Sequence, residues 1–338
     1  MRRSGGERPD WGARPYRVLF LRHDRAGDMI LSTGVMRAIA RSYPTITMDV
    51  LASPANAAVI AGADYVHDTV VFDKRATADY PAALLRLRRG RYDAVIDCMV
   101  TAPSVTTVLL ILASGAKYRV GIAGRGNDAA FNVTVPAETK PRAHMVDLLA
   151  ALARAFDVDL ATNDRRPTLT LTRDETARAE DAWGDRGTRI LINVSAGTSA
   201  RLWADDNYVA IMRHLRDRAG DVVFRVIGAP AEHRRAADIA ERGGGEFVAT
   251  PSIRDAFALV AGADFLFTPD TSIAHAASAF QVPCVAMYIR GTAEQWGVYQ
   301  TPGESVEHPD TTLRTLTLDR MLRAVDAAWD AAALSRST

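Results

Sequence analysis

The fold of this chain is decided by the stretch Ala263-Asp264-Phe265-Leu266-Phe267-Thr268-Pro269-Asp270-Thr271-Ser272-Ile273-Ala274-His275-Ala276-Ala277-Ser278. Its continuous apolar run, residues 265–267, is typical of a short strand that is covered on both faces of a sheet. Pro269 is expected to break the strand, and an Ala-rich helix follows, which Thr271 or Ser272 can cap through a hydroxyl oxygen. The stretch therefore predicts a strand, a tight polar turn and a helix.

The turn of this unit is a candidate ligand site. In α/β sheets, ligands bind where the carboxyl end of a strand meets the amino end of a helix. The backbone N–H groups and the dipole of that helix favour an anion such as a phosphate. A carboxylate at Asp270 would then serve another part of the ligand, such as a sugar hydroxyl. The other interpretation is that Asp270 and Thr271 only cap the helix, and the stretch by itself leaves both open.

Length and composition place the chain among soluble two-domain proteins. It has 338 residues, 48% of them hydrophobic and 24% charged, which is ordinary for globular domains. A net charge of +1 argues against a nucleic-acid partner. Cys98 and Cys284 lie in apolar runs, which indicates buried thiols instead of a disulfide or a metal site. The triplet Asp157-Val158-Asp159 is interpreted as a solvated turn, and no His/Cys cluster has metal-ligand spacing, so we expect no metal. We expect no cofactor either.

The amino-terminal segment and the hydropathy of the chain bear on location. Residues 1–16 are polar and lack the apolar core of a signal peptide, so we expect a disordered lead. The longest apolar stretch, residues 105–113, is too short to span a bilayer. We therefore expect a soluble, cytoplasmic protein that can work at the inner face of the membrane.

Strands alternate with helices twice along the chain, which predicts two parallel sheets covered by helices. Predicted strands are 17–21, 47–52, 66–72, 94–98, 118–122, 189–193, 222–227, 247–249, 265–267 and 284–288. Predicted helices are 29–42, 55–61, 80–89, 103–113, 144–156, 174–183, 205–217, 231–242, 253–261 and 318–331.

This alternation predicts an α/β fold of two Rossmann-like domains. Residues 17–156 would form the first domain, 157–173 a polar linker, and 174–338 the second domain. The final helix can pack back on the first domain. A ligand cleft is expected between the two domains.

The loop after the first predicted strand, His23 to Asp28, lacks the glycine spacing of a dinucleotide site. No Walker loop occurs anywhere in the chain, and no glycine fingerprint follows any strand, which argues against a dehydrogenase. Asp28 lies where the next helix begins. It either caps that helix or presents a carboxylate that takes up a proton at the edge of the sheet.

Loops of the second half supply further candidates. After strand 189–193 come small residues and Arg201, whose fixed charge suits phosphate oxygens, although the loop is equally explained as a surface loop anchored by Trp203. Glu232 either accepts hydrogen bonds from ribose hydroxyls or favours a helix start. His275 lies four residues after Thr271, on the same helix face. Because these loops follow parallel strands, they converge on one edge, which favours a nucleotide-type ligand.

Six segments, in this order, resemble glycosyltransferase family 9, the ADP-heptose:lipopolysaccharide heptosyltransferases. They are residues 22–37, residues 92–122, His144-Met145-Val146-Asp147, Arg201-Leu202-Trp203, residues 264–283 and Trp296-Gly297-Val298-Tyr299. The resemblance extends from residue 17 to residue 329. It implies a GT-B architecture and a metal-independent sugar transfer with inversion, using a nucleotide-sugar donor such as ADP-heptose. The implied acceptor is a saccharide or glycolipid, such as the lipopolysaccharide core.

The resemblance also implies roles for individual residues. Asp28 matches the general base, and Arg201 stands where the family usually has a Lys that contacts the donor phosphates. The donor-binding candidates are Ser195, Gly197, Thr198, Arg201, Glu232, Pro251, Asp270, Thr271, Ser272 and His275. The acceptor-binding candidates are Arg25, Arg119, Arg125 and His144, and the basic ones among them are equally explained as a solvated face.

Three segments on the donor side depart from the family pattern. Ser272 replaces the usual Gly, residues 288–292 lack the common Gly-Pro-Thr pattern and add Arg290, and residues 195–200 are not the commonest phosphate loop. Two other functions therefore stay open. One is a GT-B transferase that uses another nucleotide sugar on a surface glycan, a protein or a small molecule. The other is a nucleotide-sugar binder without catalytic activity.

Overall fold

A computed structural model describes residues 8–100, 104–124, 127–137, 142–158, 160, 165–185 and 187–336, the last four as backbone only. The chain divides into two compact units, Met1–Thr170 and Leu171–Thr338. The division falls inside the segment 157–173 that the sequence predicts to be a linker.

The first unit is a six-stranded parallel sheet with helices between its strands. Its strands are β1 (Tyr16–Arg22), β2 (Ile46–Ala52), β3 (Asp68–Val71), β4 (Ala94–Asp97), β5 (Tyr118–Ile122) and β6 (Val133–Val135). Its α-helices are α1 (Ala26–Ser42), α2 (Tyr80–Arg89), α3 (Val105–Ser114) and α4 (Met145–Ala150), and short 3₁₀ turns cover Ala57–Ile60, Thr77–Asp79, Asp128–Ala130 and Ala151–Phe156. The strand order is β3-β2-β1-β4-β5-β6. The order reverses between β1 and β4, and ligands of such sheets bind at the carboxyl edge of that point.

The second unit repeats this arrangement. Its strands are β7 (Thr188–Asn193), β8 (Val222–Ile227), β9 (Glu246–Phe247), β10 (Phe265–Pro269), β11 (Cys284–Tyr288) and β12 (Gly303–Glu307). Its α-helices are α5 (Arg173–Trp183), α6 (Asp205–Ala219), α7 (His233–Gly243), α8 (Ile253–Ala261), α9 (Ser272–Phe280), α10 (Ala293–Trp296) and α11 (Leu318–Arg336). The order β12-β11-β10-β7-β8-β9 reverses between β7 and β10, all neighbours pairing in parallel.

The predicted α/β alternation is confirmed in both units. The central strands are buried along most of their length, since Phe265, Leu266 and Phe267 of β10 are at most 1% exposed. The strand extends through Pro269, two residues beyond the predicted end. Proline has no N–H to donate, and Pro269 lies beyond Phe267, the last residue of β10 that pairs with β7.

Two strands, β6 and β12, were not predicted from the sequence, and both lie at an edge of a sheet. β6 is three residues long, and β12 has the sequence Gly-Glu-Ser-Val-Glu with a single apolar side chain. An edge strand is covered less completely than a central one and needs no continuous apolar run, so hydrophobic periodicity misses it. The predicted helix 144–156 is an α-helix only as far as Ala150 and continues as a 3₁₀ helix.

The predicted disordered lead is wrong for residues 8–16, while residues 1–7 lie outside the described part. Trp11 is 1% exposed, and its indole N–H donates to the carbonyl of Ala155 at 2.8 Å. Its ring stacks on Phe156 at 4.3 Å and meets Tyr16 edge-on at 5.1 Å. One buried indole with a satisfied N–H is enough to hold this otherwise polar segment on the sheet.

The buried face of the last helix lies in the core of the second unit. Met321, Val325 and Ala328 of α11 belong to the same cluster as residues of β7, β8 and β10. The apolar stripe of α11 is thus covered by its own sheet. The expectation that the final helix also packs on the first domain stays a prediction. Cys98 and Cys284 are free and buried, as predicted. In the described part of the chain, no helix combines the length and hydropathy needed to cross a bilayer.

Candidate functional site

All ten donor-site candidates follow the carboxyl ends of four neighbouring parallel strands in the second unit. Ser195, Gly197, Thr198 and Arg201 follow β7, Glu232 follows β8, Pro251 follows β9, and Asp270, Thr271, Ser272 and His275 follow β10. Because parallel strands end at the same edge, the predicted convergence of these loops is a property of the strand order.

The turn after β10 is held by its own hydrogen bonds. Thr271 is the N-cap of α9, and its hydroxyl accepts from the N–H of Ile273 at 3.3 Å. The Asp270 N–H donates to the carbonyl of Met287 on β11 at 2.8 Å. Ser272, the first helical residue, is not among the described residues with positive φ, so the usual Gly is not needed for its backbone conformation. Capping therefore accounts for Thr271, but not for Asp270.

Asp270 is engaged by Arg201 from the loop after β7. The Nη2 of Arg201 lies 2.6 Å from the Asp270 Oδ2, and its Nη1 donates to the Asp270 carbonyl at 3.0 Å. The side chain of Asp270 is 7% exposed, whereas that of Arg201 keeps 21% of its surface in water. The carboxylate therefore balances and orients a cation beside the start of α9. This contact explains how an acidic residue can stand in a turn that is predicted to bind an anion.

Asn193, the last residue of β7, joins the two loops and was not singled out by the sequence reasoning. Its amide N–H₂ donates to the hydroxyls of Thr268 and Thr271 at 2.8 and 3.1 Å. Its amide oxygen accepts from the Ser195 N–H at 3.0 Å, and the residue is fully buried. A polar residue at the end of an otherwise apolar strand, Ile-Leu-Ile-Asn, is the signal that could have identified it.

Glu232 joins the loop after β8 to the same group. Its Oε1 accepts from the Ala196 N–H at 3.2 Å. Its Oε2 is buried and has no hydrogen-bond partner within the described residues. The Ser195 hydroxyl in turn accepts from the Ala229 N–H at 2.8 Å. A buried acceptor oxygen without a donor is suited to accept a hydrogen bond from a hydroxyl group of a ligand.

The remaining donor candidates line the same edge in different ways. Gly197 has φ +67°, a left-handed conformation that favours glycine, and no atom lies within 4 Å of where its Cβ would be. Thr198 and Pro251 are exposed, and His275 is 4% exposed inside α9. Trp203 is buried and donates to the Leu316 carbonyl at 2.7 Å, so it anchors the loop as predicted.

In the first unit, Asp28 is held by a buried arginine. Arg22 ends β1 with no exposed surface, and its Nη2 donates to the Asp28 Oδ1 at 3.2 Å. Its Nε donates to the Asp28 carbonyl at 3.1 Å, and its Nη1 to the carbonyl of Cys98. The N-cap of α1 is Arg25, so Asp28 lies inside the first turn and does not cap the helix.

Two titrating groups lie beside Arg22. Burial, followed by the charges of Lys74 and Arg22, lowers the pKa of His23 to about 4, and its Nε2 lies 3.2 Å from the Thr107 hydroxyl. Burial also raises the pKa of Asp24 to about 6, with Arg22 opposing and Asp28 adding to the rise. Asp24 Oδ1 lies 3.4 Å from the Arg22 Nε. The one buried guanidinium of Arg22 therefore forms ion pairs with two carboxylates, those of Asp24 and Asp28.

The acceptor candidates do not form one group. Arg25 is exposed at the start of α1, and Arg125 lies outside the described residues. Arg119 is the second residue of β5, near the amino edge of the sheet, and its guanidinium donates to the Ala130 carbonyl at 2.7 Å. The Nε of Arg119 thus holds the backbone, and its contact with acceptor anions stays a prediction. His144 caps α4, since its Nδ1 accepts from the Val146 N–H at 3.2 Å.

Within the described residues, no group of three or more His, Cys, Asp or Glu side chains is placed to hold a metal ion. Asp157 of the Asp-x-Asp triplet is exposed in a left-handed turn, and Asp159 lies outside the described residues.

The family of the chain follows from its comparison with known sequences. The profile of glycosyltransferase family 9 (heptosyltransferase) matches residues 83–312, which is more than half of the chain. The chain belongs to this family. It is therefore a glycosyltransferase, and all ten donor candidates, residues 195–275, lie inside the matched region.

Solved structures of family 9 enzymes share the fold. A family 9 glycosyltransferase from Veillonella parvula DSM 2008 superposes with a TM-score of 0.79 at 15% identity, over 94% of this chain and 98% of that one. The E. coli heptosyltransferase WaaC, solved with ADP, superposes with a TM-score of 0.77 at 18% identity, over 94% of this chain and 99% of that one. For E. coli ADP-heptose lps heptosyltransferase II, the TM-score is 0.73 at 19% identity, over 95% of this chain and 100% of that one. The fold is thus GT-B, while a comparison with curated proteins finds no match.

Proposed function

We propose that this family 9 glycosyltransferase transfers heptose from ADP-heptose to a saccharide hydroxyl, with inversion and without a metal. The observation that carries the proposal is the Arg201 guanidinium, fixed by Asp270 beside the first turn of α9. A fixed cation and a helix amino terminus together suit a diphosphate. The E. coli relative that was solved with ADP supports an adenine nucleotide.

The donor would be held by the loops that Asn193 ties together. The N–H groups at the start of α9 and the Arg201 guanidinium would stabilise the charge that grows on the leaving diphosphate. The buried Oε2 of Glu232 would accept a hydrogen bond from a ribose hydroxyl. Ser195 and Gly197 would bring the backbone of the β7 loop against the nucleotide.

Asp28 would act as the general base. In an inverting transfer, a carboxylate removes the proton of the acceptor hydroxyl while that oxygen attacks the anomeric carbon. Arg22 holds one oxygen of Asp28 at 3.2 Å, which fixes the orientation of the carboxylate and keeps its charge balanced. Arg22 is thereby a positioning residue for the proposed base.

The acceptor would be a glycolipid of the lipopolysaccharide core, reached from the cytoplasmic face of the inner membrane. The name of the E. coli ADP-heptose lps heptosyltransferase II supports this choice. The described candidates for acceptor contact are Arg25, Arg119 and His144.

The donor is tested by thermal stability in the presence of ADP, UDP, GDP and dTDP. At a ligand concentration of 100 times Kd, a nucleotide stabilises the folded state by about 2.7 kcal/mol. We expect this gain with ADP and a smaller one with the others. A preference for UDP or GDP would instead identify a transferase for another nucleotide sugar.

The base is tested by Asp28→Asn. We expect turnover with ADP-heptose to be abolished while stabilisation by ADP persists. Asp174→Asn is the matched control, because Asp174 also lies in the first turn of a helix but is exposed. Unchanged turnover in Asp28→Asn would exclude this residue as the base, and loss of ADP stabilisation as well would indicate a folding defect.

A further inference from the structure

Helix α3 presents two opposite faces of unequal character. Thr107, Leu110, Ile111 and Ser114 are buried against the sheet. On the outer side, Val105 is 79% exposed, Leu109 48% and Leu112 55%. These three residues follow one another at spacings of four and three, so they form a single stripe along the helix.

This stripe is unusual because nothing polar interrupts it. The sequence of α3, Val-Thr-Thr-Val-Leu-Leu-Ile-Leu-Ala-Ser, contains no charged residue. Single exposed leucines are common on soluble proteins, whereas a contiguous apolar face marks an interaction surface. The ten-residue helix is about 15 Å long, and the stripe from Val105 to Leu112 extends along about 10 Å of it.

A basic rim lies at the carboxyl end of the stripe. Helix α2 packs beside α3 and ends in Arg86, Arg88 and Arg89. The guanidinium of Arg88 lies over the carboxyl end of α3, where it occupies the space that a Cβ on Gly115 would take. Lys117 follows two residues later and is exposed.

The charges of this rim are largely unbalanced. Arg86 pairs with Asp68 at 3.1 Å. Within the described part of the chain, the structure shows no acidic partner for Arg88, Arg89 or Lys117. An apolar face with a rim of uncompensated cations is the pattern of helices that lie on anionic membranes.

The stripe starts at the functional edge of the first sheet. Because α3 follows the carboxyl end of β4, its first residue, Val105, lies toward the edge where β1 ends in Arg22. From there the helix runs back along the sheet. A surface that binds this face would therefore lie close to the proposed base.

We propose that the apolar face of α3 (Val105, Leu109 and Leu112), with its basic rim (Arg88, Arg89 and Lys117), docks this enzyme on an anionic phospholipid bilayer. Pairing of two copies through this face would bring the two basic rims together, and such like-charge contacts are unfavourable. The proposal holds for any donor, so it stands independently of the proposed heptosyl transfer.

The test is co-sedimentation of the full chain with vesicles. Phosphatidylcholine vesicles are compared with vesicles that also contain phosphatidylglycerol, at low and high salt. We expect binding to the phosphatidylglycerol vesicles that weakens with salt. Leu109→Gln with Leu112→Gln should lower the partition coefficient about tenfold, because two apolar anchors are lost.

The rim and a control are tested separately. Arg88→Gln with Arg89→Gln should lower binding to the anionic vesicles about fivefold for each charge removed. Val71→Gln is the matched control: Val71 is 51% exposed, but it points to the other face of the sheet, since Val70 and Phe72 pack with α2 and α3. This control should bind as the parent protein does.

Stabilisation by ADP is measured on every variant to verify folding and to separate docking from donor binding. Parent protein that fails to bind phosphatidylglycerol vesicles would overturn the proposal, as would equal binding by all variants. A dimer in light scattering that dissociates in the Leu109→Gln, Leu112→Gln variant would show instead that the stripe is a self-interface.

Discussion

The pair of Arg201 and Asp270 offers the sharpest test of the donor site. Arg201→Gln removes the guanidinium and leaves a carboxylate that is only 7% exposed without its cation. Breaking a buried pair in this way costs about 3–5 kcal/mol. Because Arg201 itself keeps 21% of its side chain in water, we expect a cost below that range, about 2–3 kcal/mol.

A double-mutant cycle isolates the pair. Asp270→Asn keeps an oxygen that accepts from Arg201 but removes the charge, and the variant with both changes leaves no uncompensated ion. We expect a coupling energy of about 1.5–3 kcal/mol, the range of hydrogen bonds to charged groups, from urea unfolding of the four proteins. Arg178→Gln is the control, because its ion pair with Asp255 leaves Arg178 60% exposed and should contribute less than about 1 kcal/mol.

Calorimetry then separates the structural from the binding role. If Arg201 contacts the donor phosphates, Arg201→Gln should raise the Kd for ADP at least about tenfold, which corresponds to about 1.4 kcal/mol of binding free energy. Adenosine, which has no phosphate, should bind unchanged. Equal losses for ADP and adenosine would refute phosphate contact. Single-variant costs that add within about 0.5 kcal/mol would refute the idea that Asp270 holds Arg201.

Three further predictions follow from buried or strained positions. Asn193→Leu removes three hydrogen bonds and should lower the free energy of unfolding by about 3 kcal/mol in urea, and a loss below about 1 kcal/mol would show that other contacts hold the loops. Gly197→Ala should cost about 1 kcal/mol in the same assay, because Ala resists φ +67° although no clash occurs, and an unchanged midpoint would contradict this strain. Burial keeps His23 neutral in the folded protein, so its contribution to the free energy of unfolding is present above pH 6.5 and is lost as the pH falls through about 4. His23→Gln should therefore weaken the loss of stability at acid pH, measured as urea unfolding at a series of pH values. An unchanged loss would show that other groups cause it.

Regular elements were predicted well where the signals are local. The bounds of α2, α8, β5, β8 and β11 agree with prediction to the residue. In α8, for example, the side chains of Ser252 and Asp255 bond to each other's backbone N–H groups, and this capping box needs only neighbouring residues. Such elements are specified by hydrophobic period and caps, which a linear sequence displays directly.

For the candidate site, the sequence predicted where the residues lie in the fold but not which side chains they contact. Each donor candidate lies after a strand of the second sheet, as the alternation of strands and helices implies. The partner of Arg201 was not predicted, since Asp270 is 69 residues away in the chain. Burial of Arg22 was not predicted either, because an arginine after a strand is more often solvated.

The sequence by itself determined the α/β alternation, the two-unit organisation and the resemblance to family 9, because apolar period, turn residues and motif order are local properties. Only the tertiary structure decided what surrounds each functional group. It placed Asp270 against Arg201, Asn193 between two loops and Asp28 on a buried arginine. It also buried Trp11, a residue of the lead that was expected to be disordered. These contacts depend on strand order and on burial, which arise when residues far apart in the chain pack together.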